Sequence, residues 1–152
     1  TKWKLVQSHF MGEIVADPTF FRYKKTIWLF INKSKDNEKD LNKKLFLYKI
    51  SDDFSKITPH ENNPIKNSYY GGRSAGSIIT YKKNIIRPAQ IQKKNIYGYG
   101  LVFFKITKLN LKDYKEKKIS KINPNSFPHN IKGIHHISSN RNQIVVDLNL
   151  IN

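Results

Sequence analysis

The sequence predicts an all-β chain built of antiparallel β-propeller blades of the five-bladed type. One observation is an internal repeat: Tyr23-Lys24-Lys25-Thr26-Ile27-Trp28 returns as Tyr81-Lys82-Lys83-Asn84-Ile85-Ile86, an offset of 58 residues. Another is that short runs of β-branched and aromatic residues, bounded by polar turns, recur with little sign of helical periodicity. The last is the count of such runs per repeat, three or four, which suits a blade of roughly 40–50 residues plus loops.

In chain order, residues 1–15 form a blade end. The first full blade, 16–70, carries strands near 18–23, 26–32 and 44–50 and a short one near 54–58. The second, 71–125, repeats the plan at 75–81, 84–89, 98–107 and 114–119. Phe20-Phe21 matches Ile78-Ile79 at the same offset, and Leu45 to Ile50 resembles Leu101 to Ile106 in the third-strand place. A partial blade, 126–152, offers strands at 132–138 and 143–149, with His136-Ile137 matching Ile78-Ile79. Leu111 to Glu116 reads as a single helical turn. Even small propellers need at least four blades. The chain is therefore expected to be a fragment or to be completed by a partner, and its first residue, Thr1, points the same way.

Composition narrows the function. The chain of 152 residues has no cysteine, which argues against a disulfide scaffold, a zinc ribbon and a thiol enzyme. No segment has the length and apolarity of a membrane span, and Lys2 and Lys4 lead into no signal-peptide core. These absences lean towards the cytoplasm. The net charge of +17 invites a polyanion partner. The excess is nearly all lysine, it rises together with Asn and Ile as codon bias would make it, and it falls largely on expected turns. A solvated basic surface is the simpler reading.

The motifs, in order, are Trp3-Lys4-Leu5, Ala16-Asp17-Pro18-Thr19-Phe20-Phe21, Thr26-Ile27-Trp28-Leu29-Phe30, His60-Glu61-Asn62-Asn63-Pro64, Arg73-Ser74-Ala75-Gly76, Arg87-Pro88-Ala89-Gln90, Tyr97-Gly98-Tyr99-Gly100, Gly133-Ile134-His135-His136 and Val145-Val146-Asp147. Together they resemble the propeller domain beside the glycosyltransferase module of glucosamine inositolphosphorylceramide transferases, and of microbial proteins with formyltransferase-like neighbours. That domain is similar to the five-bladed propellers of arabinanases, levansucrases and invertases. The Arg-Pro-Ala-Gln element followed by Tyr-Gly-Tyr-Gly is the most specific part. The resemblance implies the C-terminal portion of such a domain, a carbohydrate or nucleotide-sugar ligand, and an adjacent glycosyltransferase or formyltransferase-like module.

In a propeller the innermost strands of successive blades converge on the axis. The repeat puts their starts near Asp17, at Arg73 to Ser77, and at Gly133 to His136. Asp17 matches one carboxylate of the propeller hydrolases and is the candidate catalytic residue; its alternative role is to cap a turn before Pro18. Glycoside hydrolysis ordinarily needs two carboxylates. Arg73 stands where a hydrolase carries an acid, and Glu13 and Glu61 read as loop charges, so binding without cleavage is the favoured expectation. Glycosyltransferase-like and hydrolase-like activity both stay open.

Arg73 and Arg87 stand out in a chain that prefers lysine, because a guanidinium fork holds phosphate, carboxylate or a vicinal diol. Pro88 in a second strand suggests a bulge or a pocket edge. Gln90 adds a directional hydrogen bond, and Tyr97 and Tyr99 offer faces for stacking on sugar rings. His135 is the axial histidine. As strand neighbours, His135 and His136 point to opposite faces and do not chelate one metal. His60 and His129 are isolated in expected loops. No cofactor is implied. The competing functions are a basic module for nucleic acid or another polyanion, and a structural assembly domain whose open blade edges pair with another chain or a second copy.

Overall fold

The structure is a computed structural model that describes residues 2–93, 96–127, 130–140 and 142–151. It is all-β, with two antiparallel meanders and two small hairpin-like pairs. The first sheet runs β1 (Ile14–Tyr23), β2 (Thr26–Ser34), β3 (Lys44–Ile50) and β4 (Ile57–Pro59), and β5 (Lys66–Asn67) also pairs with β3. In the second, β6 (Tyr70–Ser74) and β7 (Ile79–Tyr81) share the inner side of β8 (Asn84–Lys93), followed by β9 (Ile96–Leu109) and β10 (Tyr114–Ile122). Beyond it, β11 (Ile131–Gly133) pairs with β14 (Asn149–Leu150), and β12 (Ile137–Ser139) with β13 (Ile144–Val146).

The 58-residue repeat has a geometric counterpart. The β1–β2 turn holds Lys24 and Lys25 at φ 47° and 62°, and the β7–β8 turn holds Lys82 and Lys83 at 44° and 66°. Two successive left-handed residues in a two-residue hairpin match the right-handed twist of the flanking strands. The same strained dipeptide therefore closes both inner hairpins.

Ile27 to Ile31 is an unbroken buried run, as expected of a strand covered on both faces. Ile27, Leu29 and Ile31 pack with Tyr48 and Ile50 on one side. Trp28 and Phe30 pack with Leu45, Leu47 and Ile106 of β9 on the other, joining the two sheets. The second sheet is likewise covered twice. Val102 and Phe104 pack with Ala89 and Ile91, while Leu101 and Phe103 pack with Ile131, Ile134 and Ile137. Asn32, fully buried, ties the layers: its Nδ2 donates to the carbonyls of Lys44 and Gly72 (2.8 and 2.9 Å), and its Oδ1 accepts from Ser74 N (3.0 Å).

Three local expectations change. The strand expected at 75–81 is interrupted: Ala75 N still donates to Pro88 O of β8 at 3.3 Å, but its carbonyl accepts from Ile137 N of β12 at 2.8 Å, and β7 starts only at Ile79. Gly76 permits that approach: a Cβ there would lie 2.0 Å from Ile137 O, at φ 132°. Leu111 to Glu116 makes no helical turn. Asn110 Oδ1 accepts from the N–H groups of Lys112 and Asp113, which closes a tight turn and starts β10 at Tyr114. Pro88 introduces no bulge into the β8–β9 ladder, where Pro88 pairs with Phe103 in regular register. Its missing N–H falls in the gap between the β7 pairing at Ile86 and the β6 pairing at Ala89.

Candidate functional site

A cavity of about 230 Å³ opens where the two sheets meet the β11–β12 link. β1 contributes Asp17 to Phe20, the end of β6 and its following loop contribute Ser74, Gly76 and Ser77, β8 contributes Gln90, and the β11–β12 link contributes His135 and His136. Residues of β1, the β6–β7 loop, β8 and the β11–β12 link thus share one concave surface.

Asp17 reaches it through a backbone irregularity. The β1–β2 register shifts between Ala16 and Thr19, and Asp17 sits at φ 52°. A bulge re-aims a side chain, and a non-glycine residue in the left-handed region stores about 1–3 kcal/mol of strain. Arg73 Nε donates to Asp17 Oδ2 at 2.8 Å, and its Nη1 donates to Asn42 Oδ1 at 2.8 Å. Arg73 thus braces the carboxylate.

Gln90 is buried, with Nε2 donating to Ser74 O (3.1 Å) and Oε1 accepting from Gln92 Nε2 (2.6 Å). Gln92 Oε1 in turn accepts from Gly98 N at 3.3 Å. Ser74 is also buried, yet its Oγ has no hydrogen-bond partner. Such a group costs about 1–3 kcal/mol relative to a satisfied one.

His135 and His136 lie in the link between β11 and β12, not in a strand, so both reach the cavity. This corrects the expectation that they face opposite ways. The reason is Asp147, between β13 and β14. Its Oδ1 accepts from the backbone N–H groups of His135 (3.0 Å) and His136 (2.7 Å), and its Oδ2 meets His135 Nδ1. Ile134 N donates to Gly98 O at 2.6 Å, and a Cβ on Gly98 would lie 2.2 Å from the His135 Cβ. The Tyr97-Gly98-Tyr99 backbone is therefore pressed against the histidine link. No cluster of three or more metal-ligating side chains occurs among the described residues.

The structure thus brings Asp17, Arg73, Gln90 and His135 together and places the other candidates elsewhere. Tyr99 is half-buried, packs against the Ala89–Val102 cluster and carries Lys93 Nζ 4.7 Å from its ring centroid. The Tyr97 side chain and His129 lie outside the described residues. Arg87 is 1% exposed in the core. Its Nε and Nη2 each donate to Glu116 at 2.9 Å, and Nη2 also donates to Gly71 O at 2.8 Å. Tyr114 Oη donates to Glu116 Oε2 (2.6 Å) and Lys66 Nζ to Oε1 (2.6 Å). Burial opposes ionisation of Glu116, but the Arg87 and Lys66 charges outweigh it and hold its carboxyl at about 2. Burial pushes the Tyr114 hydroxyl far above the ordinary phenol range.

Glu13 pairs with Lys33, and Glu61 is exposed; neither lines the cavity. His60 is buried at another cavity with Asn62 and Tyr114. Sequence reasoning gave neither Ser74, within the Arg73 to Ser77 segment, nor Asp147 a role in the site. The only signal for Asp147 was its place after Val145-Val146.

The family described as glucosamine inositolphosphorylceramide transferase 1, N-terminal, matches residues 1–145. The chain belongs to this family. It is an all-β, glycosyltransferase-associated N-terminal domain, a placement that fits an adjacent transferase module. No curated protein and no solved structure matches the chain. No helix among the described residues is long and apolar enough to cross a membrane.

Proposed function

We propose that this domain holds a carbohydrate in the cavity between Asp17, Ser74, Gln90 and His135, in service of glycosyl transfer by a neighbouring module. The two meanders are read as successive blades of a five-bladed propeller, with the cavity at its axis. The twin lysine turns and the meeting of inner segments support that arrangement.

One observation carries the ligand class. In a chain with 28 Lys and Arg, and with Arg73 behind the wall paired to Asp17, the described residues lining this cavity include no Lys and no Arg. They offer a carboxylate, imidazoles, a buried amide and a buried hydroxyl without a partner. Such groups suit a neutral, hydroxyl-rich ring and not a polyanion. Asp17 braced by Arg73 is suited to orienting hydroxyl groups. The test is a binding screen of sugars and nucleotide sugars against wild type, Asp17→Asn and Ser74→Ala, at low and high salt. Binding that survives salt and weakens at least tenfold in both variants is expected. Binding that is indifferent to both variants refutes the pocket.

A second reading, a basic module for a polyanion, draws on one feature. The β9–β10 register sets Lys108 opposite Lys115 and Lys105 opposite Lys117, all exposed. Like charges directly opposite each other destabilise a sheet, and an anionic partner relieves that repulsion. Heparin retention lost between low and high salt, with no sugar binding, would put this reading ahead.

A further inference from the structure

We propose that the Ser74 hydroxyl is the specificity-determining group of this cavity: the free domain does not need it, and a ligand ring pairs it through one unsubstituted hydroxyl. The inference deepens the carbohydrate reading and rests on it for the ligand.

Ser74 ends β6, and its backbone is held on both sides. Its N–H donates to Asn32 Oδ1 at 3.0 Å, and its carbonyl accepts from Gln90 Nε2 at 3.1 Å. Both partners are held in turn. Asn32 is fully buried and donates to the carbonyls of Lys44 and Gly72. Gln90 Oε1 accepts from Gln92 Nε2 at 2.6 Å, and Gln92 Oε1 accepts from Gly98 N at 3.3 Å. The next residue, Ala75, donates to Pro88 O and accepts from Ile137 N. A chain of hydrogen bonds thus runs from the core of the first sheet, through Ser74, to β9 of the second. It fixes the place of Ser74 on the cavity wall.

Within this frame every backbone polar group of Ser74 is paired, and the hydroxyl is not. Ser74 is 3% exposed, and its Oγ has no hydrogen-bond partner among the described residues. A buried hydroxyl in that state costs stability relative to an apolar group of similar shape. Folding therefore gives no reason for serine here, and the cavity does. A hydroxyl both donates and accepts. Asp17, on the same wall, accepts when ionised. A ring that carries several free hydroxyl groups serves both residues. Removing the one hydroxyl that meets Ser74 leaves a buried polar group unpaired again, so the site rejects that deoxy ring far more strongly than an apolar pocket would.

The experiment has a part without ligand and a part with it. Thermal unfolding of the free domain compares wild type with Ser74→Ala. The variant is expected to melt at the wild-type temperature or up to about 4 °C above it. A melting point below wild type shows that the hydroxyl is bonded within the protein, and overturns the inference before any ligand is added. Glucose, glucosamine and myo-inositol, each with its monodeoxy analogues, are then titrated against both proteins. One analogue is expected to bind wild type at least tenfold more weakly than its parent ring, and Ser74→Ala less than twofold more weakly. If every analogue loses as much against Ser74→Ala as against wild type, the specificity role is overturned and the carbohydrate reading stands. If none of the three parent rings binds wild type, the carbohydrate reading is overturned and the specificity role falls with it.

Discussion

Glu116→Gln should cost this domain a large share of its stability, although Glu116 touches no part of the cavity. The carboxylate lies under Arg87, Lys66 and Tyr114, with its side chain 7% exposed. Its proton affinity drops from the ordinary 4.5 to about 2. At about 1.4 kcal/mol per tenfold change, that drop corresponds to roughly 3 kcal/mol of folding free energy. The sign follows from linkage. A depressed carboxyl contributes fully above pH 4.5 and loses its contribution as the pH falls from there towards 2. Glutamine cannot be ionised, so the variant lacks the contribution at neutral pH and has nothing to lose on acidification. A domain of this size shifts by about 2–4 °C per kcal/mol, which gives a fall of roughly 6–12 °C at pH 7. The assay is thermal and urea unfolding of both proteins between pH 7 and pH 2.5. The two curves should converge as the pH falls. Melting points that agree at pH 7, or curves that fall in parallel below pH 4.5, would refute the reasoning. The double variant Arg87→Met with Glu116→Leu should recover much of the loss, because two buried charges leave together.

Lys25→Gly and Lys83→Gly should each raise the urea midpoint by an amount equivalent to about 1 kcal/mol, since each removes a side chain from the left-handed region; a gain at only one site would argue against equivalent turns. Asn32→Ala should destabilise by about 3 kcal/mol in urea unfolding, because it strands the Ser74 N–H and the Lys44 and Gly72 carbonyls in a dry core. His60 is held below the ordinary histidine range by burial. Its neutral form is therefore the one that folds, and its contribution is present above pH 6.5 and lost as pH falls through the folded value. His60→Gln should flatten that part of the stability profile, and an unaltered slope would refute the assignment.

The legible part of the fold was whatever local chemistry decides. The Tyr-Lys-Lys repeat announced two inner hairpins because a two-residue turn is a local event, and the strands around it follow from runs such as Ile27 to Ile31. The break in the strand expected at 75–81 was not legible. It depends on Ile137, more than 50 residues away, taking the Ala75 carbonyl. Nor was the start of β10, where a single Asn110 side chain turns two backbone N–H groups away from helix.

The candidate residues divide on the same principle. Asp17 and His135 were picked by their place in the repeat and Arg73 by both its place and its residue type; Asp17 and His135 line one cavity, and Arg73 is paired to Asp17. Arg87 was picked by residue type, as a rare arginine beside a strand proline, and type is ambiguous. A guanidinium fork serves a ligand phosphate and a buried carboxylate equally well. What separates the two uses is whether a partner carboxylate lies on the same face of the sheet, and Glu116, on β10 beyond β9, is invisible until the sheet is assembled. Ser74 makes a different case: the repeat placed the Arg73 to Ser77 segment, but only the assembled sheet shows that its hydroxyl is buried without a protein partner on the cavity wall. The two arginines thus have different uses: Arg87 is buried against Glu116 and holds the second sheet together, while Arg73 stands behind Asp17 at the cavity.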